Sequence, residues 1–460
     1  MSKKLFGINI LPELSKSNYY ALFISTGLIM MAYMIPTIIL PRLLKETIGI
    51  SDADFGEINS TIQNIGTITS ILFLAFVGSL SDKYGRKILL SSGLLGATVA
   101  FVLYSYSPRI GTLLGLSPLW FVFLFQFLLS FSMVFVFPQL MTLPADYTEN
   151  RSRGKLMAIS ATMMGLGITI SFIFMSQLQK TIGVTNLLLV GALLMFLTFL
   201  IVKFFIVDHM PHRSKEIPAK RNSTIKNWKE VSAVVQKIPG LKVCFFSSFA
   251  ASADRIILGA FLTIWAVRVA KDYNITPAKA TALGGIIIGL SSLVALISTP
   301  LWGMLVDRFG RMQIITSGLF LKGLGFLLIG MASNPFSTEV KLYGVLTGLG
   351  VAGAAVGTSS LAADLAPKRM LGSIFSISSA IGSIGTLFFF QFGGFLFDYA
   401  GFSRPFTLVG TADFIVLAYA LSKWKQVPKI TKHIHYQHEH SHSEKPAPSV
   451  PPLQNEAEKE

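Results

Sequence analysis

The sequence predicts an all-α membrane protein of about twelve transmembrane helices in two groups of six. Hydrophobic residues make up 52% of the 460-residue chain and charged residues only 13%, whereas about a quarter of the residues in soluble domains are charged. The mean hydropathy is +0.60. Apolar runs of about 20 residues, long enough to cross a bilayer as helices, recur along the chain.

The predicted helices follow these apolar runs in chain order. The first run comes after Lys3, Lys4 and Lys16, but it is too long for the core of a signal peptide and lacks a small-residue cleavage pattern, so we expect it to be retained. The runs cover residues 20–41, 57–80, 88–107, 119–143, 156–177, 186–206, 243–268, 280–305, 312–332, 340–363, 374–397 and 405–423.

The excess of positive charge has a topological explanation. The formal net charge is +16, and most Lys and Arg residues fall in alternate loops, on the side that holds the N-terminus. Cytoplasmic loops of membrane proteins carry this excess. The sequence therefore predicts a multi-pass protein of the cytoplasmic membrane, with both termini in the cytoplasm and no nucleic-acid partner. The single cysteine, Cys244, excludes an internal disulfide bond.

A polar, basic segment divides the runs into two groups of six. This segment, 208–242, is bounded by prolines and is predicted to be a cytoplasmic linker with a short surface helix around "NWKEVSAVV". The predicted domains are therefore a cytoplasmic N-terminus (1–18), a first bundle (19–207), the linker (208–242), a second bundle (243–424) and a His- and Pro-rich cytoplasmic tail (425–460) that is predicted to be disordered.

Two short motifs occur once in each half. "GSLSDKYGRK" (Gly78–Lys87) follows the second run, and "GMLVDRFGRM" (Gly303–Met312) follows the eighth. "ADYTENRSRG" and "ADLAPKRMLG" follow the fourth and tenth runs, with Asp, Arg and Gly at the same spacing. Duplicated halves of this kind are typical of secondary transporters, whose solute site lies between the repeats near the middle of the membrane.

The first motif resembles the loop motif of the major facilitator superfamily, G-x-L-x-D-[RK]-x-G-[RK]-[RK], at every fixed position. The number of runs and the central linker extend the resemblance over most of the chain. The resemblance implies two pseudo-symmetric six-helix bundles that rock about a central cavity. It carries almost no information about the solute.

The resemblance also implies that the repeated motif acts as a conformational latch. In the family, the motif aspartate is held at the N-terminus of the eleventh helix, where a carboxylate is stabilised by roughly 0.3–2 kcal/mol. Asp82 would then face the amides near residues 373–374. By pseudo-symmetry, Asp307 would face those near residues 155–156. The predicted latch residues are Gly78, Asp82, Lys83, Gly85, Arg86, Asp146, Arg151, Asp307, Arg308, Gly310, Arg311, Asp364 and Arg369.

Two arginines of this motif are predicted to tie the loops to nearby acids. Arg86 would pair with Asp146, and Arg311 with Asp364. Contacts that form only when the cytoplasmic side is closed would bias a two-state equilibrium. The alternative is that these loops only set the membrane topology.

Four charged residues lie in the interior of the apolar runs of the second half, away from the ends of the runs. They are Asp254 and Arg255 in the seventh run, Lys322 in the ninth and Asp413 in the twelfth. A charge at the bilayer centre costs about 2.5–3.5 kcal/mol even on the lenient scale, so we expect these side chains to face protein or water. Their formal charges sum to zero, which leaves purely structural ion pairing as an alternative.

The resemblance separates these residues by helix, because the first, fourth, seventh and tenth helices of the family line the cavity. Asp254 is accordingly the candidate for proton coupling, and Arg255 the candidate for holding an anionic group or a neighbouring carboxylate. Polar residues of the first half are candidates to complete the cavity: Tyr33, Gln63, Asn64, Gln126 and Gln139.

The same resemblance places Lys322 and Asp413 on supporting helices. They are predicted to form a buried ion pair, directly or through one intervening polar group. Lys322 lies about 15 Å into the membrane from the cytoplasmic side, and Asp413 about 12 Å from the outside. Both are thus near the middle of a hydrocarbon core about 30 Å thick. Asp254 and Arg255 are the rival partners.

The C-terminal tail contains a histidine cluster, "HIHYQHEHSHSE". Neutral imidazoles bind Zn, Ni or Cu, so weak metal binding by the tail is one hypothesis and a transported metal is another. The candidate ligands are His433, His435, His438, His440 and His442.

Other function classes are disfavoured. The chain has no G-x-x-x-x-G-K-[ST] phosphate loop and no internal cytoplasmic segment long enough for a catalytic domain, so neither an enzymatic activity nor a cofactor is expected. The sequence favours a monomeric secondary active transporter of a small solute, with export as the preferred direction. A transition-metal or metal-chelate exporter and a transporter-like receptor are the alternatives.

Overall fold

The computed structural model describes residues 4–6, 8–148, 152–208, 224–251, 254–367 and 370–427, and at 4, 75, 79, 82, 224–230, 255 and 256 only the backbone. The described chain is almost entirely helical. A short antiparallel hairpin, β1 (Lys4–Leu5) and β2 (Ile8–Asn9), precedes the first helix. The sequence analysis did not predict this hairpin.

The first half contains eight helices. They are α1 (Lys16–Tyr33), α2 (Ile35–Arg42), α3 (Phe55–Tyr84), α4 (Arg86–Ser105), α5 (Ser107–Leu114), α6 (Pro118–Asp146), α7 (Arg153–Ile170) and α8 (Ser176–Phe205). Two π-helical segments extend the helices beside them, Leu43–Ile48 after α2 and Ser171–Met175 between α7 and α8.

The linker and the second half contain the other helices. They are α9 (Thr224–Lys237), α10 (Pro239–Ala251), α11 (Asp254–Arg268), α12 (Pro277–Phe309), α13 (Arg311–Met331), α14 (Thr338–Leu365), α15 (Leu371–Tyr399) and α16 (Arg404–Lys423). Short 3₁₀ turns follow α11 and α16, at Lys271–Tyr273 and Trp424–Gln426. α9 contains the "NWKEVSAVV" stretch for which a surface helix is predicted.

Nine helical stretches of the described chain are long and apolar enough to cross a membrane, which confirms the predicted class of all-α membrane protein. One of them, Arg153–Phe205, contains a break at Gly183, where φ is +82° and ψ is 174°. This break separates the predicted fifth and sixth spans. The count of twelve stays a prediction, because it also requires α3 and the short pair α10 and α11 to act as spans.

The two halves pack internally and meet along several helix pairs. In the first half α4 contacts α6 and α8, and in the second half α13 contacts α14 and α16. Between the halves, α3 lies against α15 and α7 against α12. The turns that carry the repeated motif, after α3 and α12, lie at one end of the molecule, which we call the motif end. The helices α3 and α12 begin at the opposite end.

Tyr147 joins three chain segments at the motif end. Its hydroxyl donates to the carbonyl oxygen of Val207 at 2.8 Å and accepts from the Val207 N–H at 3.0 Å. Its own carbonyl oxygen accepts from the hydroxyl of Tyr19 at 2.6 Å. Burial raises the pKa of Tyr147 to about 12, so the hydroxyl remains a donor across the physiological pH range.

We expect Tyr147→Phe to lower the free energy of unfolding by about 0.5–1.5 kcal/mol, because it removes both hydrogen bonds between the buried hydroxyl and the backbone of Val207. The measurement is the thermal unfolding midpoint of the purified protein in detergent. Tyr20→Phe is the matched control, since Tyr20 is 45% exposed. Equal midpoints for the two variants would contradict the role of this hydroxyl.

Candidate solute cavities, buried charges and inter-half contacts

A lysine between two carboxylates is buried inside the second half. Lys322 Nζ on α13 lies 2.7 Å from Asp254 Oδ2 on α11 and 2.8 Å from Asp413 Oδ1 on α16. The three side chains are at most 1% exposed. The structure thus brings together Lys322, its predicted partner Asp413 and the predicted rival Asp254. The side chain of Arg255 lies outside the described part.

The charge balance of this triad matters for its chemistry. If all three groups are ionised, one positive charge faces two negative charges, and the triad carries a net charge of minus one. A net charge buried in protein is costly. One additional proton on either carboxyl group would make the triad neutral, so the arrangement is suited to binding and releasing a single proton.

Asp254 is the member of the triad that reaches a cavity. It lines a narrow space of about 10 Å³ together with Ser291 and Ser292 of α12 and Thr347 of α14, which is close to the space that one water molecule needs. Ser292 also lines a larger cavity of about 610 Å³ between α7, α12 and α14. Asp254 therefore lies one small space away from the larger cavity.

The larger cavity lies toward the motif end of these helices. Its walls combine small apolar residues with the hydroxyl groups of Thr162, Thr299, Ser359 and Ser360. Residues of both halves line the cavity. Its shape therefore depends on how α7 and α12 are placed relative to each other.

A second inter-half cavity, of about 170 Å³, lies among α1, α2, α3, α6 and α15. Three of the predicted cavity residues, Tyr33, Gln63 and Gln126, line it. Gln126 is eight residues after the start of α6. Because α6 starts at the opposite end of the molecule, Gln126 lies about 12 Å from that end. This space, named here the amide cavity after its two glutamines, is a polar cavity between the halves.

The other two predicted cavity residues lie elsewhere. Asn64 donates across the interface from α3 to α15, to the carbonyl oxygen of Leu387 at 3.4 Å and to Gln391 Oε1 at 3.3 Å. Gln139 is fully buried within the first half, where its Oε1 accepts from the Ser81 hydroxyl at 2.7 Å. Gln139 follows Gln126 by thirteen residues on α6. Because each residue turns the helix by about 100°, the two side chains point in different directions.

At the opposite end, a carboxylate of one half caps a helix of the other. Asp398, in the last turn of α15, accepts from the backbone N–H groups of Gly56 and Glu57 in the first turn of α3, at 2.8 Å each. A Cβ atom at Gly56 would lie 2.7 Å from the carbonyl oxygen of Gly394 and 2.8 Å from Asp398 Oδ1. Gly56 is therefore required for this close approach. We call this contact the α15–α3 cap.

Further contacts between the halves are found at the same end. Arg268, at the end of α11, pairs with Asp52 at 3.3 Å. Gln177 and Gln179 of α8 donate to backbone carbonyl oxygens of α12, those of Ala282 and Ala278, at 3.0 and 2.9 Å. Polar contacts from three regions thus hold the halves together at the opposite end.

We expect Asp398→Ala to shift the molecule toward states with a separated opposite end. Losing a carboxylate at a helix N-terminus costs about 1–2 kcal/mol, or roughly a 5–30-fold change in population. Distances between spin labels on the two halves at that end would report the shift. Asp272→Ala removes an exposed carboxylate nearby and is the control. An unchanged distance distribution in Asp398→Ala would contradict a latching role.

At the motif end, the two predicted arginine pairs are present. Arg86 Nη1 lies 2.7 Å from Asp146 Oδ2, and Arg311 Nε lies 2.7 Å from Asp364 Oδ2. Each pair joins helices of a single half. Gly85 and Gly310, in the tight turns of the motif, have φ of +98° and +101°, a region that favours glycine.

The remaining latch predictions have different positions. Asp307, in the last turn of α12, lies 3.7 Å from Arg311 at the start of α13. The amides of residues 155 and 156 bond to the carbonyl oxygen of Ser152, at 3.1 and 3.2 Å. Lys83 and Arg308 lie over the rings of the tyrosine and phenylalanine that follow them. The Asp82 side chain, Arg151 and Arg369 lie outside the described part, so the latch stays a prediction.

The sequence analysis missed two capping carboxylates. One is Asp398, described above. The other is Asp208, whose Oδ1 accepts from the N–H groups of Arg86 and Lys87 at 3.0 Å each and so caps α4. Its position at the start of the polar linker, close after the sixth span, is the only sequence signal for this role.

The predicted metal ligands in the tail, His433 to His442, lie outside the described residues. Within the described ranges, no group of three or more His, Cys, Asp and Glu side chains has the arrangement of a metal site.

Comparison with known proteins identifies the family. The Major Facilitator Superfamily model matches residues 22–265 and 244–451. The magnetosome protein MamH of Paramagnetospirillum magneticum is 32% identical over 414 residues, which are 90% of this chain and 94% of MamH. The sequence-based resemblance is thereby confirmed.

Two solved structures share the fold. The nucleoside transporter NupG matches with a TM-score of 0.70 and 13% identity, over 88% of this chain and 99% of that chain. A bacterial homologue of the human lysosomal transporter Spinster, in an inward-facing and occupied conformation, matches with a TM-score of 0.65 and 13% identity, over 88% and 96%. The family match over most of the chain and the shared fold agree: this chain belongs to the major facilitator superfamily of membrane transporters.

Proposed function

We propose that this protein is a secondary active transporter that moves a small solute across the cytoplasmic membrane by alternating access. The observation that carries the proposal is the uneven contact between the halves. Polar contacts hold them together at the opposite end, including the α15–α3 cap, while the larger cavity lies between them toward the motif end. A carrier that is closed on one side and has a cavity toward the other is expected to have this arrangement.

We further propose that transport is coupled to protons through the triad, with export as the direction. Asp254 combines two properties that coupling requires. It lines the small space beside the cavity, and it forms an ion pair with a lysine that also binds a second carboxylate. Binding one proton would neutralise the triad, and the change in charge would favour a different packing of α11 against α13 and α16. Arg255 directly follows Asp254 and is the ionisable residue nearest to it in the sequence.

The proposal is tested by flux in proteoliposomes that contain a pH-sensitive dye. We expect externally added transported solute to move into the vesicles and to move protons at the same time. Uptake driven by an acidic interior indicates exchange for protons and supports export in the cell. Uptake driven by an alkaline interior would contradict the export direction. Binding of solute without any flux would contradict transport and favour the receptor alternative.

A further inference from the structure

We propose that the amide cavity is the solute site and that it selects small, uncharged solutes rich in hydrogen-bonding groups. This inference deepens the proposed function and rests on it, because it names the solute class of the proposed transporter. The cavity lies between the halves, with walls from α1, α2, α3 and α6 on one side and from α15 on the other. A solute bound there contacts both halves and is enclosed when they close.

The walls of the amide cavity offer hydrogen bonds and no charge. They carry the amide groups of Gln63 and Gln126 and hydroxyl groups such as those of Thr67, Ser130 and Ser383. Within the described part of the chain, the residues that line this cavity include no Asp, Glu, Lys, Arg or His. An ionised solute group would lose its hydration there without gaining an opposite charge. Hydroxyl, amide and carbonyl groups would exchange water for wall partners at little cost.

One wall group is prepared for a ligand. Gln126 is only 9% exposed, and within the described part of the structure its Oε1 has no hydrogen-bond partner. A buried polar atom without a partner is costly and is rare in folded proteins. A donor on a bound solute, such as a hydroxyl or amide N–H, would satisfy this oxygen.

The remaining walls restrict the size and shape of the solute. Phe390 and Leu129 supply apolar surface beside the polar groups, so a ring or carbon chain can lie against them. The volume of about 170 Å³ is below the range of about 300–1,000 Å³ that is common for drug-sized ligands. The geometry therefore favours compact polyols, monosaccharides and comparable neutral molecules over large amphiphilic compounds.

The test compares ligands that share one scaffold and differ in charge. Glucose, glucuronate and glucosamine, which share the pyranose ring, are titrated against the detergent-purified full-length chain at about pH 6, where the amine is protonated, and the thermal midpoint is followed. We expect glucose to raise the midpoint and the two charged compounds to have little effect. Gln126→Leu is expected to weaken glucose binding roughly tenfold. Gln236→Leu, on the exposed face of α9, makes the same change away from the cavity and is expected to bind as the unmodified protein does.

A substitution that adds a negative charge to the cavity gives a second readout. Gln126→Glu places a negatively charged acceptor in the same position. This variant is expected to gain a response to glucosamine and to remain unresponsive to glucuronate. Equal response of the unmodified protein to charged and neutral compounds, no response to glucose, or glucose binding that survives Gln126→Leu would each overturn the assignment. Because this readout is binding, its failure leaves flux to be judged separately. Glucose binding without flux would instead overturn the proposed transport.

Discussion

Asp254→Asn is expected to abolish accumulation driven by a pH gradient while exchange of solute across the membrane continues. One pH unit corresponds to about 1.36 kcal/mol for each proton, so the unmodified protein at one proton per solute should reach about a tenfold concentration ratio. The asparagine variant leaves Lys322 paired with Asp413 and removes the excess negative charge. Its accumulation ratio should therefore stay near one.

The measurement is solute uptake into proteoliposomes under imposed gradients of either sign. Asp413→Asn is the informative comparison, because it removes the same charge from the triad but at the residue on α16. Loss of coupling in Asp254→Asn but not in Asp413→Asn would assign the proton to the carboxyl group of Asp254. Unchanged gradient-driven accumulation in Asp254→Asn would show that the coupling role is wrong.

Lys322→Met is expected to be the most destabilising single substitution in the triad, at about 3–5 kcal/mol. Without the ammonium group, two buried carboxylates approach each other with no compensating charge. Asp254→Asn or Asp413→Asn should cost less, about 1.5–3 kcal/mol, because a lysine paired with one carboxylate remains. The thermal midpoint in detergent, or unfolding free energy from denaturant titration, checks this order.

Compensation distinguishes a triad from a simple pair. A simple Lys322–Asp413 pair predicts that Lys322→Met with Asp413→Leu is better tolerated than either single change, because the two charges disappear together. In the structure that double variant still leaves Asp254 without its lysine. We expect full recovery only when Asp254→Asn is added, so a double variant as stable as the triple one would contradict the shared lysine.

Most of the fold was predictable because a lipid bilayer favours long apolar helices. Apolar runs of bilayer length define most helices, and the repeated glycines Gly85 and Gly310 mark the turns at the motif end. The hairpin of β1 and β2 and the short helix Ser107–Leu114 were not predicted. Each is too short to produce a clear periodic pattern, and their formation depends on neighbouring packing.

The site was predictable where burial makes a residue costly. Lys322 and Asp413 stand out in apolar runs, so a buried pair followed from the sequence. Which neighbour joins them depends on the rotation of α11, a tertiary property that the sequence does not encode locally. Asp398 gave no signal at all, because a carboxylate at the end of a span is inexpensive and needs no explanation before its contact with Gly56 is seen.

The position of Asp398 also means that the α15–α3 cap stabilises the ends of two helices at once. A helix C-terminus carries partial negative charge, and Asp398 lies in the last turn of its own helix, Leu371–Tyr399. When the cap is closed, the N-terminus of α3 offsets this repulsion. When it opens, the carboxylate is left near the negative end of α15 and the α3 amides lose their acceptor. Opening the opposite end therefore weakens the electrostatics of both helix ends, and a single contact links the end of α15 to the start of α3.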